Sequence, residues 1–200
     1  MLWASGVRVV VTEHGVGNVR SVVRAIARVS PAAEIQVTGD PDALRRADRI
    51  VVPGQGSFGA FAKAIHGGLG EALAESIRRG TPYLGICLGL QVLFEESEEA
   101  PGERGLGIYR GRVKRIVAGD LALPHIGWNS VDRDERPGGF FYFAHSFVSV
   151  PEDSSIVAGT TEYGERFVSM VEKDNVLGVQ FHPEKSQREG LALLERFFSR

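Results

Sequence analysis

The 200-residue chain has one cysteine, Cys87, no uninterrupted apolar run of membrane-spanning length and no excess of basic charge. A lone thiol leaves no intrachain disulfide and excludes a cysteine-rich zinc site, which suits a reducing, cytoplasmic setting. The apolar runs stop well short of the ~18 residues of a membrane helix, so no membrane association is expected. Met1 to Gly6 lack the basic flank and apolar core of a secretory signal. With 23 basic against 25 acidic residues and a net charge of -2, the chain lacks the balance of a dedicated nucleic-acid binder. What remains is ordinary globular composition, 43% hydrophobic and 24% charged, enough for one domain over residues 1–200.

The first half alternates strand and helix signals. Val7 to Val11 is a β-branched run that reads as a buried strand, and a turn at Gly15, Gly17 and Asn18 follows. Val19, Val22, Val23 and Ile26 fall at helical spacing, and Pro31 ends that helix. Further strands are expected at Glu34 to Thr38, Arg49 to Val52 and Tyr83 to Ile86. Largely helical sequence lies between Ala60 and Arg79, interrupted at Gly67 and Gly68, and a helix is expected from Leu90 to Glu98. This alternation implies an α/β fold with an open, mostly parallel sheet and helices on both faces. Ligands of such sheets lie beyond the carboxyl ends of the strands, so Pro53 to Gly59 and Cys87 to Gly89 should share one edge. The second half reads as an antiparallel extension, with short strands at 108–117, 140–143, 146–150, 167–172 and 176–180. A last helix from Glu189 to Phe198 should bury Leu191, Leu194 and Phe198.

Gly85-Ile86-Cys87-Leu88-Gly89 stands between a strand and a helix, the pattern of a nucleophile elbow with cysteine at its tip. A tight strand-to-helix turn crowds the backbone, so the flanking residues must lack bulk. The helix N-terminus beyond it favours thiolate, and the Leu88 N–H is free to donate to an oxyanion. A buried free cysteine is more often a small core hydrophobe; the flanking glycines are what favour the catalytic reading.

His14, His66, His125, His145 and His182 are the candidate bases. His14 precedes a turn and His66 a polar helix break. His125 and His145 lie among aromatics, as core or site-lining residues. His182 closes an apolar run and precedes Pro183, which favours an extended backbone. Residues two apart then point the same way, so Glu184 can take the Nδ1 proton and leave Nε2 for a nucleophile. Cys87, His182 and Glu184 could also be read as metal ligands, but no second cysteine or histidine pair at ligand spacing accompanies them, and no metal is expected.

The Pro53 to Gly59 loop is dense enough in glycine to permit close backbone approach to a ligand, the plainer alternative being a flexible turn, and it lacks both the Walker and the dinucleotide fingerprints. No cofactor is expected. Backbone N–H donation to a tetrahedral intermediate is the better reading.

Gly85 to Gln91, together with Gly178-Val179-Gln180-Phe181-His182-Pro183-Glu184-Lys185-Ser186, resembles a class I glutamine amidotransferase. The chain is more narrowly similar to the glutaminase subunits of imidazole glycerol phosphate synthases. Four stretches carry the narrower likeness: Gly15 to Asn18 with Ser21, Pro53 to Gly59, Pro124 to Asn129, and Phe141 to Ser146. The resemblance implies Cys87 as nucleophile, His182 as general base and acid, Glu184 as its orienting partner, and oxyanion donors at Leu88 and Gln55. It implies that L-glutamine is held by Gly56, Gln91, Ser146 and Phe147. It also implies that Trp128, Asn129, Tyr142 and Lys185 face a β/α-barrel cyclase subunit in a heterodimer, which receives the ammonia and stimulates the glutaminase allosterically. The chain departs from the family at Glu13-His14, where Asp-Tyr is common, and at Phe147, where tyrosine is common.

Two other readings remain at this level: a glutaminase feeding a different synthase, and a binding module that kept the fold. Arg110, Arg112 and Lys114 alternate on one strand face, as a solvated surface or a phosphate patch.

Overall fold

The computed structural model describes residues 6–13, 19–54, 56–65, 68–133 and 138–199. His14 to Asn18, Gln55, His66 and Gly67 lie outside the described residues. In chain order the elements are β1 (Arg8–Thr12), α1 (Val19–Val29), β2 (Glu34–Thr38), α2 (Pro41–Arg46), β3 (Arg49–Val52), α3 (Phe58–Ile65), α4 (Leu69–Arg78), β4 (Tyr83–Ile86) and α5 (Leu88–Gln91). They continue with β5 (Glu96–Ser97), β6 (Gly111–Arg115), β7 (His125–Ser130), β8 (Phe140–His145), β9 (Phe147–Pro151), β10 (Val157–Tyr163), β11 (Glu165–Lys173), β12 (Val176–Val179) and α6 (Gln187–Phe198). Short 3₁₀ turns cover Ser154–Ile156 and Pro183–Lys185.

The main sheet runs β2-β1-β3-β4-β12-β11-β9-β6-β5, with β10 beside β11. β2, β1, β3, β4 and β12 are mutually parallel. From β12 outward the pairs β12–β11, β11–β9 and β9–β6 are antiparallel, and β5 returns parallel to β6. β7 and β8 form a separate antiparallel ribbon.

The two-residue alternation of the parallel strands decides which helices cover which face. Val10, Ile50, Val52 and Tyr83 join the core of α2, α3 and α4. Val9, Val11, Val51, Leu84 and Ile86 join the core of α1 and α6. Helices therefore cover both faces, as the sequence implies. No described helix is long and apolar enough to cross a membrane.

Several expectations need correction. The helix expected from Leu90 to Glu98 is the single turn α5, after which the chain bends away and pairs as β5. Leu90 to Phe94 are all buried, so no solvent-facing stripe exists to continue a surface helix, and the Glu95 N–H turns to the Gly111 carbonyl. α2 is an additional helix with plain signals: Asp40 accepts from the Asp42 N–H at 3.0 Å and Pro41 opens the helix. β7 and β10 were not anticipated as strands, and the strand expected over 108–117 is only Gly111–Arg115. α6 buries Leu193, Leu194 and Phe197, while Leu191 and Phe198 sit partly exposed at the margin of the stripe. In the basic run, Lys114 pairs with Glu165 at 2.7 Å and Arg110 approaches Glu152 at 4.0 Å, which favours the solvated-surface reading over a phosphate patch.

Candidate active site

β4 runs into Cys87, whose backbone (φ 52, ψ -105) lies in a region non-glycine residues rarely occupy. Backbone meets backbone all round it. A methyl group on Gly85 would stand 2.3 Å from the Gly89 carbonyl oxygen, and one on Gly89 would stand 2.1 Å from the Val52 oxygen. A methyl group on Gly54 would stand 2.3 Å from the Leu88 nitrogen. The glycines at 85 and 89 thus do what the elbow reading requires, and Gly54 brings the end of β3 against the N–H expected to face an oxyanion. Tyr83, fully buried, donates its hydroxyl to the Gly89 carbonyl at 2.7 Å and ties the strand to the turn.

The base arrives from the next parallel strand. Val179 pairs with Ile86, and the Cys87 N–H donates to the Val179 carbonyl at 2.7 Å, so the ends of β4 and β12 meet. His182 is extended, as Pro183 demands, but Glu184 reaches it through the 3₁₀ turn that begins at Pro183 rather than along an extended strand. The His182 Nδ1 to Glu184 Oε1 distance is 2.9 Å, with both side chains about 3% exposed. A carboxylate at Nδ1 fixes the proton there and leaves Nε2 for the thiol. Burial alone pushes the His182 imidazole down. Hydrogen bonds with Cys87 and Glu184, and their charges, outweigh it and push the group up, to about 10. The backbone of His182 is also pinned: its N–H donates to the Tyr142 carbonyl at 2.8 Å, and Ser186 Oγ donates to its carbonyl at 2.6 Å.

A cavity of about 220 Å³ opens beside the sulfur, lined by Gly56, Cys87, Leu88, Gln91, Glu99, Pro124, Ala144, His145, Ser146 and Phe147. The structure thus gathers Gly56, Gln91, Ser146 and Phe147 with Cys87 and Leu88 around one space. Gln55 lies outside the described residues. Trp128 and Tyr142 meet edge-on at 6.2 Å between ring centres, and Lys185 Nζ lies 5.6 Å over the Tyr142 ring. Asn129 differs from these three: its side chain turns toward β10, donating to the Glu162 carbonyl at 2.9 Å.

Two residues at or beside the site, Glu99 and Gln180, escape the sequence reading, and a third, His145, is read there only as core or site-lining. Glu99 was hidden in an acidic run; it accepts from the Phe58 N–H at 2.7 Å and is the carboxylate in the cavity wall. Gln180 lies two residues before His182, where nothing in the sequence gives it a role. His145 was left between core and site, and it belongs to both. Its Nδ1 donates to the Phe147 carbonyl at 3.0 Å, and its Nε2 accepts from His125 Nδ1 at 3.1 Å. Burial holds His125 down at about 4; burial and the neighbouring His125 hold His145 down at about 3, so both rings are neutral donor–acceptors at neutral pH. Among the described residues no group of three acidic, histidine or cysteine side chains is placed to hold a metal ion.

The glutamine amidotransferase class-I family matches residues 10–200. The imidazole glycerol phosphate synthase subunit HisH of Aquifex aeolicus is 46% identical over 199 residues, covering 95% of each chain. The same-named subunit of Pyrococcus furiosus is 43% identical, covering 95% of this chain and 97% of its own. Among solved structures, a glutamine amidotransferase superposes with a TM-score of 0.75 at 20% identity, covering 97% of this chain and 98% of its own, a likeness of fold. The chain belongs to the class-I glutamine amidotransferase family.

Proposed function

We propose that this chain is the glutaminase subunit of an imidazole glycerol phosphate synthase, a single domain that hydrolyses L-glutamine and passes ammonia to a cyclase partner in histidine biosynthesis. The observation that carries the reading is the buried His182–Glu184 pair, 2.9 Å apart, at the sheet edge where the Cys87 elbow stands. The names and identities of the HisH relatives support the choice of synthase.

The Cys87 sulfur attacks the side-chain amide carbon of glutamine, forming a C–S bond, while His182 holds the thiol proton. The tetrahedral oxyanion lies against the N–H of Leu88, and the family resemblance assigns the second donor to Gln55, which lies outside the described residues; each such donor is worth about 10²–10³ in rate. The C–N bond breaks as His182 hands its proton to the departing ammonia. Water, deprotonated by His182, then cleaves the thioester, and glutamate and free thiol result. Glu184 orients the ring and balances its charge throughout. No metal or cofactor takes part.

Substrate recognition follows from the cavity wall. Both N–H groups of Gln91 are used, one on the Phe147 carbonyl at 3.0 Å and one on Gln180 Oε1 at 3.1 Å, so Gln91 offers its own Oε1 to the substrate. Glu99 supplies the negative charge that a glutamine ammonium requires. Gly56, Ser146 and Phe147 complete the wall. Ile126, Trp128 and Phe140, exposed by 62%, 48% and 61%, share one face of the β7–β8 ribbon with Tyr142. With Lys185 they form the docking face for the cyclase barrel, in a heterodimer. The lyase chemistry that follows, yielding imidazole glycerol phosphate and an aminoimidazole carboxamide ribonucleotide, belongs to that partner. A cytoplasmic location suits the free thiol.

Ammonia release from glutamine, measured with and without the cyclase and its bound acceptor, tests the reading. Release that rises with cyclase and acceptor is the expected result. A wild-type chain that forms the complex yet releases no ammonia overturns it.

A further inference from the structure

The polar contacts beside the nucleophile form a directed chain that the thioester mechanism above does not use. Gln180 is fully buried immediately after β12, and its Nε2 lies 3.5 Å from the Cys87 sulfur. Its Oε1 accepts from Gln91 Nε2 at 3.1 Å, and Gln91 Nε2 also donates to the Phe147 carbonyl at 3.0 Å. The same carbonyl accepts from His145 Nδ1 at 3.0 Å.

These contacts fix the direction of the Gln180 amide. Both Gln91 N–H groups point at acceptors, so the Gln180 atom facing Gln91 must be its oxygen. The NH₂ group then faces the sulfur. A flipped amide would set donor against donor at Gln91 and a carbonyl oxygen against the sulfur.

We propose that Gln180 is a positioning residue for the nucleophile, a buried amide donor, held in one orientation by Gln91, that stabilises and aims the Cys87 thiolate opposite His182. The proposal rests on the glutaminase reading above. A neutral donor serves here because it favours the thiolate without offering a competing proton acceptor. Hydrogen bonds to an ionised group are among the stronger ones in a low-dielectric site. As the sulfur bonds to the amide carbon and its charge moves onto the oxyanion, the Gln180 N–H keeps its place and the Leu88 N–H takes up the stabilisation.

The test uses the full chain in complex with its cyclase and two variants. Gln180→Met removes the donor at similar length. Gln180→Glu keeps an oxygen for Gln91 and turns an acceptor toward the sulfur. We expect kcat for glutamine to fall about ten- to a hundredfold in Gln180→Met and further in Gln180→Glu. In Gln180→Glu, where Gln91 stays held, KM should remain within about threefold of wild type. Alkylation of Cys87 by iodoacetamide, which reads the thiolate directly, should slow in the same order. Folded variants with wild-type kcat and alkylation rate overturn the proposal. So does a rise in KM with kcat unchanged, since Gln180 would then act only by packing Gln91. Should neither variant fold, the wild-type chain decides: the side-chain amide resonances of Gln180 must move when Cys87 is replaced by serine, and unmoved resonances overturn the proposal. A wild-type complex without glutaminase activity would count against the glutaminase reading alone, because the alkylation arm still reports on Gln180 and Cys87.

Discussion

Cys87 sits on a turn where backbone meets backbone, whereas His182, beyond the end of β12, is tied through its backbone to a ribbon whose far face is exposed. On the nucleophile side, Gly54, Gly85 and Gly89 leave no room even for a methyl group, and the Tyr83 hydroxyl clamps the turn from below. On the base side, the His182 N–H and Ser186 Oγ bind the backbone of Tyr142, whose side chain shares a face with Trp128 and Phe140. That strand, β8, touches the backbone of the base at Tyr142, and its Ala144 and His145 line the cavity beside Cys87. If the outer face is the docking surface, a partner's push has a route to the base through the ribbon, while the elbow is already set by its own backbone packing.

The largest expected effect lies at the elbow tip. Cys87→Ser should lower glutaminase turnover by about 10³-fold or more, because a hydroxyl does not ionise where a thiol does. Its melting temperature should stay within a few degrees of wild type, since the volumes are close. A steady-state ammonia assay on purified complex checks this, and turnover above a few per cent of wild type would remove Cys87 from the mechanism.

Next comes the glycine packing. Gly89→Ala places a methyl group 2.1 Å from the Val52 carbonyl, against backbone that has nowhere to move. A loss of about 3 kcal/mol or more is expected in urea unfolding. Gly102→Ala is the control: Gly102 has φ +90 with open space around it, so only the left-handed backbone opposes the methyl, at about 1–2 kcal/mol. Equal losses in the two variants would show that the elbow is not unusually tight.

Within the base side itself, the histidines should differ in the sign of their pH dependence. His182 is raised in the folded chain, so its contribution is complete below about 6.5 and is lost as pH rises toward about 10. His125 and His145 are depressed, so theirs is complete above about 6.5 and is lost as pH falls toward about 4 and about 3. Melting curves across this range should therefore lose their alkaline slope in His182→Gln and part of their acid slope in His145→Gln. If both replacements flatten the same limb, the assignment of the two environments is wrong.

The same division runs through what the sequence discloses. The elbow is legible because its steric demands are written in glycines at fixed offsets, and β2, β3 and β4 were bounded correctly by Pro, Gly and β-branched runs. Strand alternation predicts Glu184 beside His182, and Glu184 is there, but a 3₁₀ turn brings it rather than alternation. Glu99 and Gln180 are not legible, because their roles arise from residues distant in sequence, Phe58 for the one and Cys87 with Gln91 for the other, whereas His125 and His145 are legible as core or site-lining residues but not as a pair. Long-range polar pairing leaves no period in the chain. The failed helix from Leu90 has a related cause, because a wholly buried apolar run does not disclose where it bends.

The smallest expected effect on stability, and the sharpest on assembly, separates the two faces of the ribbon itself. β7 and β8 pair Trp128 with Tyr142 on one face and Gly127 with Phe143 on the other. Phe143 is fully buried against His125, Phe167 and Phe181, whereas Trp128 keeps nearly half its surface in solvent. Phe143→Ala should therefore cost about 3–5 kcal/mol of folding stability. Trp128→Ala should change it by less than about 0.5 kcal/mol. If the outer face is the docking surface, the order reverses in the complex. A large exposed aromatic at the centre of an interface typically carries 2 kcal/mol or more, so Trp128→Ala should weaken cyclase binding by about thirtyfold or more. Thermal melts of the isolated subunit and calorimetric titration with cyclase read the two quantities separately. Unchanged cyclase affinity in a folded Trp128→Ala chain would move the docking face elsewhere and, with it, the route by which the partner reaches His182.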